Sequence, residues 1–148
     1  MDLEILLRYV HFLSILIIAG TLVSERILLK PIMTRAELNK ISQLDLIYGL
    51  AAIGLVAAGL TLWLGNVGKP AVFYTNNWIF ITKVSLFVVI GLLSIYPTVF
   101  FLKHRKGNQS EIVTIPKIIF SMVTLEIIIL LILPLLAGFM ARGIGYTI

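Results

Sequence analysis

"WIFITKVSLFVVIGLLSIYPTVFFL", Trp78–Leu102, is a long apolar run interrupted by a single charge, Lys83. Wound as a helix at about 1.5 Å per residue, it crosses the ~30 Å hydrocarbon core of a bilayer. Three runs of the same character accompany it, Leu3–Leu29, Asp45–Leu64 and Ile118–Ala141. Over its 148 residues the chain is 59% hydrophobic and 13% charged, with a mean hydropathy of +1.06. So few polar groups cannot cover the surface of a soluble domain this small. The sequence therefore predicts an all-α integral membrane protein, an up-down four-helix bundle. It is expected to be one transmembrane domain over residues 1–148, with spans at about 3–29, 45–64, 78–102 and 118–141. The short connections make neighbouring helices antiparallel.

Charge sets the orientation. Arg26, Lys30, Arg35 and Lys40 lie between the first two runs, and Lys103, Arg105, Lys106 and Lys117 between the last two. The middle connection holds only Lys69, and the terminal regions hold Arg8 and Arg142. Basic loops stay in the cytoplasm, so both termini are expected outside it, in a multi-pass protein surrounded by membrane lipids. The net charge of +5 is thus a topology signal, and nucleic acid is not an expected partner. The absence of cysteine excludes disulfides and thiolate metal sites. The first run is expected to be retained. Acidic Asp2 and Glu4 precede it, and Ser24-Glu25-Arg26 stands where a signal peptide needs small residues.

The connections carry their own signals. Thr34 with Glu37 three residues later has capping-box spacing, which predicts a short cytoplasmic helix between spans one and two. "GNVGKPAVFYTNN" (Gly65–Asn77) reads as an outer turn whose Phe73 and Tyr74, with Trp78, suit the membrane interface. "HRKGNQSE" (His104–Glu111) is polar and is expected to be the most mobile segment. In span two, Gly49, Ala52, Val56 and Gly59 form one stripe of mostly small residues, and Gly54 with Ala58 a second. Such faces let helix backbones approach closely in lipid, and two of them suit a helix with two neighbours.

Ionisable side chains inside spans are costly and mark candidate sites. His11 lies eight residues from Leu3, about 12 Å along the helix, and Lys83 five from Trp78, about 8 Å. Both runs start on the outer side, so topology brings the pair to similar depth, with Arg8 and Arg142 at the same rim. The expected site is a basic, aromatic-edged outer pocket. Each residue also has a plainer role: Arg8 snorkelling while paired with Glu4, His11 and Lys83 as interhelical polar contacts. Glu126 falls near mid-membrane and needs a proton or a partner, for which Tyr48 and Arg26 are candidates.

"LLRYVHFLS" (Leu6–Ser14), "SERILLKP" (Ser24–Pro31), "DLIYGLAA" (Asp45–Ala52), Trp78–Thr98 and "PLLAGFMARG" (Pro134–Gly143) resemble an uncharacterised bacterial family of small four-helix membrane proteins. More distantly the pattern is similar to HemJ-type protoporphyrinogen oxidases and CopD-like membrane proteins. That resemblance implies a bacterial inner (cytoplasmic) membrane location. It also implies a haem b- or porphyrin-binding oxidoreductase, with the early histidine and lysine matching His11 and Lys83. His11 would ligate metal or accept protons, and Lys83, Arg8 and Arg142 would hold propionates. The chain lacks the further histidines and the tryptophan-rich first span of that pattern. A haem with two imidazole ligands would need a second one from elsewhere, for instance across a homo-oligomer. The alternative is a non-enzymatic transporter subunit, assembly factor or scaffold, in which the same residues make structural contacts. A channel has little support, because no span carries a polar stripe along its length.

Overall fold

The computed structural model describes residues 2–147. Four long helices dominate: α1 (Leu3–Leu28), α2 (Arg35–Leu64), α4 (Trp78–His104) and α5 (Lys117–Ala141). Each is long and apolar enough to cross a membrane. A five-residue helix α3 (Ala71–Thr75) and two short strands, β1 (Ile32–Thr34) and β2 (Ile112–Thr114), complete the chain. It is an all-α four-helix membrane bundle. Large apolar side chains such as Leu16, Leu50, Leu92 and Leu131 point outward and are exposed, as helices solvated by lipid require.

The bundle is two hairpins. α1 packs along α2 and α4 along α5, and contacts across the pairs are sparser. The first seam is close because glycines line it. A Cβ at Gly54 would meet Ser14 Oγ at 3.1 Å, and one at Gly59 would meet His11 Cε1 at 3.5 Å. The two stripes expected on α2 therefore do not divide between two neighbours as read. Gly54 and Gly59, one from each stripe, both face α1, while a Cβ at Gly49 would meet nothing within 4 Å.

The short helix expected after β1 does not stand apart. Thr34 Oγ1 accepts from the Glu37 amide at 3.2 Å, as the spacing requires, but the helix it opens runs unbroken to Leu64. Nothing between Ala36 and Asp45 breaks a helix, so cap and span fuse. Asp45 consequently lies well inside α2 rather than at its edge.

Both ends are tied. At one, β1 and β2 pair antiparallel, Met33 opposite Val113, which links the two basic loops. The polar segment expected to be mobile is anchored there. Arg35 donates from Nε to Glu111 Oε2 at 2.8 Å and from Nη1 to the His104 carbonyl at 2.6 Å. The backbone amides of Arg35 and Ala36 donate to the carbonyls of Glu111 and Gln109. At the other end Asn77, 1% exposed, caps α4 by accepting from the amides of Ile79 and Phe80, and its amide donates to the Ile144 carbonyl. Gly145, at φ +88°, accepts at its carbonyl from the Trp78 amide, and a Cβ there would sit 2.7 Å from Ile79. A Cβ at Gly68 would likewise strike Glu4, so the N-terminal turn, the middle loop and the C-terminal segment share one end. The loops thus segregate by charge as an up-down bundle requires.

Arg35 supplies a pH-dependent prediction. Its hydrogen bond and charge hold the Glu111 carboxyl below the ordinary carboxylate range. The bridge is therefore complete above the ordinary value of about 4.3 and is lost as pH falls through the lowered one. Arg35→Ala should speed hydrogen exchange at Ala36 at neutral pH, and by less in acid strong enough to protonate Glu111, where only the bond to the His104 carbonyl is left to lose. Equal acceleration at both pH values would show that the Glu111 bridge does not hold the loop.

Candidate functional site

His11 sits on α1, half-buried, with its imidazole edge against Gly59 of α2. Its Nδ1 is buried and makes no well-formed hydrogen bond, the Leu55 carbonyl of α2 being the backbone acceptor near the ring. Lys83 on α4 and Arg8 one turn earlier on α1 are the cations close enough to act on the ring electrostatically. Arg8 is committed to Glu4, with Nη2 at 2.7 Å and Nε at 2.8 Å from the same carboxylate oxygen. The pairing with Glu4 expected from the i, i+4 spacing is therefore present. Lys83 is half-buried and, among the described residues, has no acidic partner. Arg142 does not join this group. It caps the end of α5 and lines a separate surface cleft with Pro134, Leu135, Gly138, Phe139 and Ile144. Arg142 thus lies at the same end of the bundle as Arg8, but it lines a cleft that includes neither His11 nor Lys83.

Polar groups gather at a second place, toward the basic-loop end. Tyr48 Oη donates to Glu126 Oε2 at 2.9 Å, between helices α2 and α5. Both residues are nearly inaccessible, at 4% and 1% exposure. Arg26, the other candidate partner of Glu126, turns instead to Thr124, with Nε 2.8 Å from Oγ1 and the guanidinium over the Phe120 ring. Glu25 and Asp45 are also buried here, which sequence reading missed. Glu25 stands next to a basic residue near a helix end, and Asp45 began an apolar run, so both looked like flanks. His104 is remote: its Nδ1 donates to the Phe100 carbonyl at 2.9 Å and its ring stacks on Phe100 at the basic-loop end.

The residues fit haem only in part. The chain has two histidines, and His104 lies at the opposite end of α4 from Lys83, so one imidazole at most is available in the outer half. Among the described residues no three His, Asp or Glu side chains converge as metal ligands. The set His11, Lys83 and Arg8 suits the anionic edge of a flat ligand better than an iron held from both faces.

Fold and polar clusters together define a four-span membrane protein with intramembrane ionisable groups at two depths. The family described as "Predicted membrane protein (DUF2214)" matches residues 3–145, and the chain belongs to it. No curated protein and no solved structure matches the chain.

Proposed function

We propose that the outer half of the bundle binds a flat, amphipathic anion of the porphyrin class at the edge where α1 and α4 present His11 and Lys83. One observation carries this reading: a buried imidazole nitrogen without a well-formed hydrogen bond stands near a half-buried ammonium without a counter-ion. Both deficits are costly in an apolar setting, and both are met by a ligand that brings carboxylates and an aromatic face. Lys83 would orient the carboxylates, with Arg8 joining only by leaving Glu4, and His11 would contact the ring or take a single axial position on a bound metal. An oxidoreductase role would rest on that contact.

A second reading is supported by the packing of His11 on Gly59. There the histidine is an interhelical spacer, and the protein is a non-enzymatic scaffold or subunit. Titrating purified protein with protoporphyrin, followed by visible absorbance and thermal unfolding, separates the two. His11→Ala and Lys83→Met should each weaken porphyrin binding at least tenfold while the bundle still assembles. The double variant should lose less than the sum, because two groups on one ligand are coupled. Lowered stability with unchanged binding would favour the spacer.

A further inference from the structure

The chain has seven acidic residues, and their distribution is uneven. Asp2 is exposed, and Glu4, Glu37 and Glu111 are paired with Arg8, Lys30 and Arg35 at the ends of the bundle. The other three, Glu25, Asp45 and Glu126, are 1%, 5% and 1% exposed and come from α1, α2 and α5. They lie within electrostatic reach of one another: Glu25 senses both Asp45 and Glu126, and Glu126 senses Asp45. Among the described residues none has a cationic partner.

The cations nearby are turned elsewhere. Arg26 is held by Thr124 and the Phe120 face, and Arg105 Nη1 reaches Ser42 at 3.5 Å. Hydroxyls fill the remaining directions. Tyr48 donates to Glu126, with Ser94 of α4 alongside, and Thr98 of α4 stands beside the Asp45 carboxyl. A separate observation points to a missing ligand. Glu25 Oε1 is fully buried and has no hydrogen-bond partner, on the side chain that faces the other two carboxyls.

Three carboxylates cannot remain ionised together in such a place, since each is desolvated and repelled by the others. Something positive must enter. A divalent ion needs several oxygens converging on one point, and no such convergence exists among the described residues. A proton needs only a single carboxyl oxygen, and the unpartnered Glu25 Oε1 is one. We propose that Glu25, Asp45 and Glu126, bounded by Tyr48, Ser94 and Thr98, form a proton-binding site at the seam between the two hairpins. A bound proton neutralises one of the three carboxyls and so relieves the repulsion felt by the others, and its release leaves like charges on both sides of the seam. Because cross-hairpin packing is the sparser part of the bundle, proton occupancy sets how tightly α1–α2 holds α4–α5.

Infrared difference spectroscopy on the full chain in lipid nanodiscs tests this, in sodium-free buffer stepped from neutral to alkaline pH. The wild type should show a protonated-carboxyl C=O band at neutral pH, and the amide variants assign it, since the other four acids lie at the bundle ends and three of them are paired with cations. The band should be lost on alkalinisation, reduced in Glu25→Gln, Asp45→Asn and Glu126→Gln, and absent from the triple amide variant. Absence of the band from wild type at neutral pH would overturn the proposal. So would its persistence in the triple variant, or its loss on adding sodium at constant pH, which marks a metal-cation site. Should the triple variant fail to fold, the wild-type pH and sodium steps still decide.

Discussion

Gly54→Leu should disrupt the first hairpin, and Gly49→Leu, five residues away on the same helix, should leave it intact. At Gly54 even a Cβ meets Ser14 Oγ at 3.1 Å, closer than ordinary packing, and Ser14 is itself 6% exposed. The remaining leucine carbons would have to enter α1 or force the two helices apart. Overfilling a packed seam typically costs about 1–3 kcal/mol, and lost α1–α2 contact would add to that. Small residues matter more in lipid than in water, because burial of apolar surface no longer drives helices together. At Gly49 nothing lies within 4 Å of the added atom, so leucine there meets only lipid. Thermal unfolding in detergent of the two variants should differ by many degrees. Equal behaviour would mean that the α1–α2 seam does not depend on close backbone approach.

The second large effect is expected at Tyr48. Tyr48→Phe removes the only hydroxyl donating to Glu126 Oε2 among the described residues and leaves a carboxyl oxygen buried without its donor. Stranding a buried acceptor of this kind costs about 1–3 kcal/mol. Glu126→Gln should cost less, because an amide oxygen still accepts from the tyrosine in nearly the same volume. Removing both polar partners, as Tyr48→Phe with Glu126→Leu, should recover part of the Tyr48→Phe loss. Unfolding measurements on Tyr48→Phe, Glu126→Leu, the double variant and the parent complete the cycle. A double variant as unstable as the sum of the singles would show that the two residues do not act on each other.

The apolar runs made the four helices legible, because a bilayer leaves the backbone few alternatives. Tyr48 was one of two partners the sequence offered Glu126, although depth counted along the apolar runs from Asp45 and Ile118 matched the two less well than the observed pairing requires. Other features were not. β1 and β2 are three residues each, too short for an alternating pattern, and only the proximity of two loops makes them pair. Asn77 stands directly before an apolar run, which is an N-cap signal, yet in a string of turn residues it read as loop. The burial of Asp45 was hidden by the point at which the hydropathy rises. Helix α2 begins ten residues earlier, at Arg35, and so carries Asp45 inside the bundle beside Glu25. Arg142 shared a nominal depth with His11, but sequence position gives depth and not azimuth around the bundle.

The sidedness of both clusters rests on the orientation read from the basic loops, and it can be measured directly. The chain has no cysteine, so single cysteines at Ser110 and Asn66 can be introduced without background. Both positions are exposed in loops, at opposite ends of the bundle. A membrane-impermeant maleimide applied to intact cells should label Asn66→Cys and spare Ser110→Cys until the membrane is opened. That result places His11 and Lys83 in the outer half and the three carboxyls toward the cytoplasm. Labelling of Ser110→Cys from outside, with Asn66→Cys protected, would contradict the account.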